Sequence, residues 1–210
     1  MTKFFPTEIP IFPLHGVIFF PKTNLPLNIF EQRYLDMTND CIKGQKLMGM
    51  VQPKIKSNEE VFEVGCLGRI TDFERTDDGR ILINLNGLIR FKIKKEISNK
   101  KLYRQFEVTY DDFVNDMKSE INEVPKENFL KLVNKSKKLF KKNGYIINWV
   151  EFSKLSVTHQ INTLAMITPI SVIEKQKLLE TITTEKKIET LSNIIDFNLH
   201  DERSEKKTIQ

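Results

Sequence analysis

The sequence predicts an α+β protein in two parts. Residues 1–117 form a strongly twisted β-sheet or small barrel with one short helix, residues 118–200 form an α-helical bundle, and 201–210 form a polar tail with little to anchor it. Three observations carry this division. Apolar segments interrupted by prolines, and runs rich in Val, Ile, Leu and Phe, fill the first part. Asp77-Asp78-Gly79 between two such runs is a hairpin signal, because glycine supplies the positive φ a tight turn needs. Beyond about Asn115 the apolar residues recur at helical spacing almost to the end.

Taken in order, Glu8 to Ile29 is broken by prolines at 10, 13, 21 and 26, which suits two edge strands and extended connections rather than helix. Glu31 to Lys43 changes period: Tyr34, Leu35, Thr38, Cys41 and Ile42 share one helical face, and Gly44 stands where a C-terminal cap belongs. Leu47–Gln52, Val61–Thr76, Arg80–Ile97 and Tyr103–Phe113 return to strand character. Ile81, Ile83 and Leu85 alternate with Leu82, Asn84 and Asn86, so one face is core and the other mixed. In the second part Phe129, Val133, Ser136 and Phe140 make a helical stripe that ends near Asn143-Gly144. Ile147–Leu155 is a short docking segment. Ser156 caps a helix that must stop before Pro169, Ser171 with Glu174 makes a capping box, and Ile188, Leu191, Ile194, Ile195 and Leu199 line a last helix.

Composition is that of a globular protein, 40% hydrophobic and 29% charged. No apolar run approaches the roughly 20 residues of a membrane helix, and the N-terminus has no signal-peptide pattern. Cys41 and Cys66 sit among apolar neighbours and read as reduced, packed thiols, which fits a cytoplasmic compartment. Residues 1–117 carry 17 basic and 16 acidic side chains and residues 118–210 carry 16 and 12, so the net charge of +5 resides mostly in the helical part. None of the eight glycines precedes the Lys-Ser or Lys-Thr pair of a phosphate-cradling loop, and His15, His159 and His200 are widely spaced. The expectation is a non-catalytic protein with no cofactor and no metal site.

Phe12-Pro13-Leu14, Phe20-Pro21 and Leu25-Pro26-Leu27-Asn28-Ile29-Phe30-Glu31-Gln32-Arg33-Tyr34 occur in that order. Gly49-Met50-Val51, Val64-Gly65-Cys66-Leu67-Gly68-Arg69-Ile70 and Gly87-Leu88-Ile89-Arg90-Phe91 follow. Together these phrases resemble the N-terminal substrate-binding domain of the Lon ATP-dependent protease, in the form found in small stand-alone proteins. Trp149, Leu155 and the stretch from Pro169 through Glu180 are similar to the helical part of such proteins. The resemblance implies a PUA-like β-barrel followed by helices. It also implies a role in engaging unfolded or tagged polypeptide, or a protease or chaperone component, with the chemistry done elsewhere. Where family members commonly carry Pro-Gly or Gly-Gly this chain has Lys22-Thr23; Asn28 replaces a frequent His, and Gln32 a frequent Pro.

Three groups are candidates for binding. Phe19, Phe20, Pro21, Leu25 and Pro26 crowd apolar bulk into a proline-rich stretch; they either expose a docking surface for polypeptide or close one end of the barrel. Glu31, Arg33 and Tyr34 are either ligand contacts, with Arg33 as a fork for a carboxylate, or a salt-bridged helix start. Arg69 and Arg90 follow the same logic, with Asp72 or Glu74 as expected structural partners. Lys131, Lys135, Lys138 and Lys142, at spacings of four, three and four, form a positive stripe for nucleic acid or another anion, or a solvated helix face.

Overall fold

In the N-terminal part, strands β1 (Glu8–Pro13), β2 (Asn24–Ile29), β3 (Leu47–Val51), β4 (Val64–Arg75), β5 (Ile81–Ile97) and β6 (Gln105–Thr109) form a single sheet, with helix α1 (Gln32–Lys43) between β2 and β3. The computed structural model describes residues 5–54, 60–118 and 125–200. It divides the chain into two units, Met1–Ser119 and Glu120–Gln210.

The strand order is β2-β5-β4-β3-β1-β6, and β6 also pairs with β5, which closes the sheet on itself. Closure depends on the length of β5. One of its edges pairs with β4, while the other pairs with β2 over Ile81–Asn86 and with β6 over Lys92–Ile97. Its inward residues Ile81, Ile83 and Leu85 are buried, as the alternation predicts. The turn after β4 places Gly79 at φ 85° and returns the chain through a Thr76–Arg80 hydrogen bond. Register shifts near Gly68 and Asp72 bend β4 as it leaves the barrel.

Two expectations are corrected. β1 is not an edge strand: Glu8–Pro10 pair with β6 and Ile11–Pro13 pair with β3 in parallel, so each proline closes one ladder and neither interrupts one. β2, which carries Pro26, is an edge. The strand read over Tyr103–Phe113 ends at Thr109, and Asp111–Met117 turns into a 3-10 segment. That segment is held by Asp116, whose carboxylate accepts bonds of 2.8–3.0 Å from Arg90 Nη2, Arg90 Nε and the Arg90 backbone N–H. Phe113 lies under the same guanidinium at 4.5 Å. The partner of Arg90 is therefore Asp116 and neither Asp72 nor Glu74.

The C-terminal unit contains α2 (Lys126–Lys142), α3 (Trp149–Ser153), α4 (Val157–Ile167), α5 (Val172–Glu180) and α6 (Thr184–His200). The termini follow the local signals. Ser156 accepts from the His159 amide, and Ser171 and Glu174 form the reciprocal capping box. Gly144 at φ 72° ends α2. The core is Leu132, Leu139, Phe140, Leu164, Leu178, Leu191 and Ile195. Trp149 stacks edge-on to Phe140 and Phe152 at 6.0 and 5.4 Å, so the short α3 docks by its aromatic side chains. The tail 201–210 lies outside the described residues.

Both thiols are buried and unbonded to each other. Burial, reinforced by the neighbouring Asp40 carboxylate, pushes the Cys41 thiol up to about 12. Neither thiol should react with a maleimide at pH 8 in the folded protein, and both should react once urea is added; mass spectrometry of the adducts checks this.

Candidate functional site: a mixed cleft at one end of the barrel

β1 and β3 run parallel and end together beside the start of the antiparallel β6. At this end Leu14 N–H donates to the Val51 carbonyl and Ile11 N–H to that of Arg104, and a cleft of about 320 Å³ lies beside these segments. Its apolar wall is Phe12, Pro13, Leu14, Pro53 and Leu102, and its polar wall is Glu31, Arg33, Tyr34 and Arg104. Leu102 is 67% exposed, next to the buried Tyr103. This combination of an apolar wall with a few converging polar groups is the usual form of a binding site.

The start of α1 supplies most of the polar wall. Glu31 precedes the helix, but its side chain accepts no bond from the helix amides. It accepts instead from Arg33 Nε at 3.1 Å and Nη2 at 2.8 Å. Both side chains are about half exposed, so the pair adds little to stability. Arg33 lies over the Tyr34 ring at 4.6 Å, and Phe12 meets that ring edge-on at 4.3 Å. Burial raises the pKa of the Tyr34 phenol, against the opposing field of Arg33 and Arg104. Arg104 donates to both Glu96 oxygens at 2.6–2.7 Å. Glu31, Arg33 and Tyr34 thus form the salt-bridged helix start and also line the cleft. Leu14, His15, Pro53, Leu102 and Arg104 escape sequence reading as site residues, because only strand pairing brings four separate segments together.

The apolar candidates are placed elsewhere. Phe19, Phe20 and Leu25 are 3%, 0% and 7% exposed, and Pro21 is buried as well. Of that group only Pro26 is exposed. The premise of an exposed apolar loop is therefore overturned, and the reason is local. The turn at Phe20–Thr23 lies on β5 at Gly87, exchanging Lys22 N–H to Gly87 O and Gly87 N–H to Thr23 O at 2.8 and 2.9 Å. A Cβ at Gly87 would overlap the Phe20 carbonyl oxygen, and one at Gly68 would meet the Phe19 ring at 2.7 Å. Glycines inside two strand runs were the signal of this close approach. The Arg69 side chain is exposed and has no hydrogen-bonded partner among the described residues.

In the helical unit the lysine stripe is largely engaged. Lys131 pairs with Glu127 at 2.6 Å and Lys135 with Asp196 at 2.5 Å. Lys142 donates to the Asn198 and Leu199 carbonyls at the end of α6. Lys138 is the one of the four that is exposed with no partner among the described residues. α2 packs along α6, so Lys135 and Lys142 border the seam between them. A groove of about 240 Å³ at this seam is lined by Lys131, Lys135, Ile188 and Glu189 with neighbouring polar groups. Among the described residues no three His, Cys, Asp or Glu side chains gather to hold a metal ion, and no helix is long and apolar enough to cross a membrane.

A barrel with a cleft of mixed polarity beside the start of a helix, joined in sequence to a helical bundle, defines an α+β protein. The chain belongs to the family of the ATP-dependent protease La (Lon) substrate-binding domain, which it matches over residues 8–196. It is 26% identical over 185 residues to the Lon protease of Cytophaga hutchinsonii, covering 84% of this chain and 22% of that protein. Against the Lon protease of Buchnera aphidicola it is 25% identical over 206 residues, covering 91% and 25%. The chain thus spans about a quarter of the length of these relatives. Among solved structures, the Lon N-terminal domain protein from Xanthomonas campestris has the same fold, with a TM-score of 0.63 at 22% identity and coverage of 89% of this chain and 97% of that one.

Proposed function

We propose that this chain is a polypeptide-binding module that holds unfolded or tagged segments in the barrel cleft and leaves ATP hydrolysis and peptide cleavage to other domains or partners. The observation that carries the reading is membership of the Lon substrate-binding family over residues 8–196, combined with a cleft among whose apolar lining residues Leu102 is exposed. Apolar side chains that are accessible only in unfolded proteins fit such a wall, and the open cleft admits an extended segment. Nucleic-acid binding through Lys131, Lys135, Lys138 and Lys142 is less favoured, since Lys135 and Lys142 are held by α6, although the exposed Lys131–Glu127 pair is exchangeable.

Fluorescence anisotropy with a labelled globular protein, compared in its native form and in a reduced, alkylated and unfolded form, tests the reading. The unfolded form should bind and the native form should not, and Leu102→Asp should weaken binding about tenfold or more, since it places a charge in the apolar wall. Equal binding of both forms, or indifference to Leu102→Asp, would overturn it.

A further inference from the structure

The described part of the N-terminal unit buries three tyrosines, Tyr34, Tyr103 and Tyr110, at 6%, 5% and 3% exposure. Two of their hydroxyls are satisfied within the protein: Tyr103 donates to Asp40 at 2.7 Å and Tyr110 to the Pro6 carbonyl at 2.7 Å. The hydroxyl of Tyr34 has no hydrogen-bond partner among the described residues and is not sealed from solvent, while its ring is fixed by Phe12 and Arg33 and the residue lines the cleft. An accessible phenol O–H without an internal partner is free to donate to a ligand. The charges around it favour an anionic acceptor. Arg33 and Arg104 both line the cleft, and Arg33 directs Nε and Nη2 to Glu31, leaving Nη1 uncommitted. The Arg33–Glu31 pair is solvent-exposed, so a ligand can exchange for Glu31 at little cost.

We propose that the cleft selects polypeptide segments bearing a carboxylate next to an apolar residue, the carboxylate accepting from the Tyr34 hydroxyl and Arg33 while the apolar side chain lies against Leu14, Pro53 and Leu102. The inference rests on the polypeptide-binding reading and narrows it. Tyr34 supplies a directional donor and the guanidinium a planar fork, a pairing that suits a carboxylate better than a neutral carbonyl. Glu31 is the like charge at the rim that an incoming carboxylate displaces, so it sets a threshold against weakly held acidic segments. The carboxylate has two sources, the C-terminus of a chain or an Asp or Glu side chain.

Anisotropy on the full chain with labelled peptides of one apolar sequence separates these possibilities. One peptide ends in a free carboxylate, one is amidated, one is amidated with an internal Asp, and one is amidated with Asn at that place. At least one carboxylate form should bind about tenfold tighter than its neutral counterpart, and the pair that discriminates identifies the source. Tyr34→Phe and Arg33→Gln should bring that ratio close to one, and Glu31→Gln should raise it. Tyr34→Phe keeps the ring packing, and a circular dichroism melt confirms that each variant is folded. Ratios near one in the unmodified chain, with the peptides still bound, overturn the carboxylate proposal alone; a ratio that survives Tyr34→Phe and Arg33→Gln overturns its assignment to these residues. Failure of every peptide to bind overturns the polypeptide reading with it.

Discussion

Asp116→Ala is expected to destabilise the barrel unit by about 3–5 kcal/mol. The Arg90 side chain is 3% exposed and that of Asp116 10%, so the ion pair sits out of water. Bringing it there is justified only because Asp116 accepts two guanidinium N–H groups and the Arg90 backbone amide together. Removing the carboxylate takes the counter-charge from a guanidinium that cannot release its proton. It also frees the 3-10 segment Asp111–Met117 from β5. Urea unfolding followed by circular dichroism measures the loss, and the fluorescence of Trp149, the single tryptophan, follows the helical unit separately. A loss below about 1 kcal/mol, the range of an exposed pair, would show that the clamp does not hold the barrel. Replacing both residues by apolar ones of similar volume should be much milder than removing either, because no uncompensated charge remains.

Phe20→Ala should lower the stability of the same unit by about 3–5 kcal/mol, through lost transfer energy and the cavity left behind. Phe20 is fully buried, and its carbonyl accepts from both the Thr23 amide and hydroxyl, so the segment has little freedom to collapse into the space. The position separates two readings of the proline-rich stretch. A surface docking residue would change stability by no more than about 0.5 kcal/mol while reducing polypeptide binding; a core residue does the reverse. Equilibrium urea unfolding and anisotropy on the same sample decide between them. Phe20→Asp is correspondingly a folding mutation and not a test of binding.

Local chemistry was legible where a residue's role depends on its sequence neighbours. The capping box at Ser171 and Glu174, the turn at Gly79, the end of α2 at Gly144 and the alternation of Ile81, Ile83 and Leu85 are all set by spacing within a few residues. The phrases from Phe12 to Phe91 carried the family. Glu31, Arg33 and Tyr34 stood out as a polar cluster at a helix start, and they do line the cleft.

The remainder depended on separations of many residues. Arg90 could not be paired with Asp116 from the sequence, because the two are 26 positions apart with a strand between them and nearer carboxylates were equal candidates on charge alone. Leu102 and Arg104 reach the cleft only because β6 pairs with both β1 and β5. The lysines of α2 follow a regular period, yet their engagement was settled by Asp196 and the carbonyls at the end of α6. By itself the sequence determined most of the elements and several of their caps, which follow from backbone preference and short-range periodicity, and the family, which follows from the ordered phrases. Only the tertiary structure decided that Phe19 and Phe20 are core, that β1 is interior and that the cleft exists, because burial and ion pairing depend on which distant segments exclude water together.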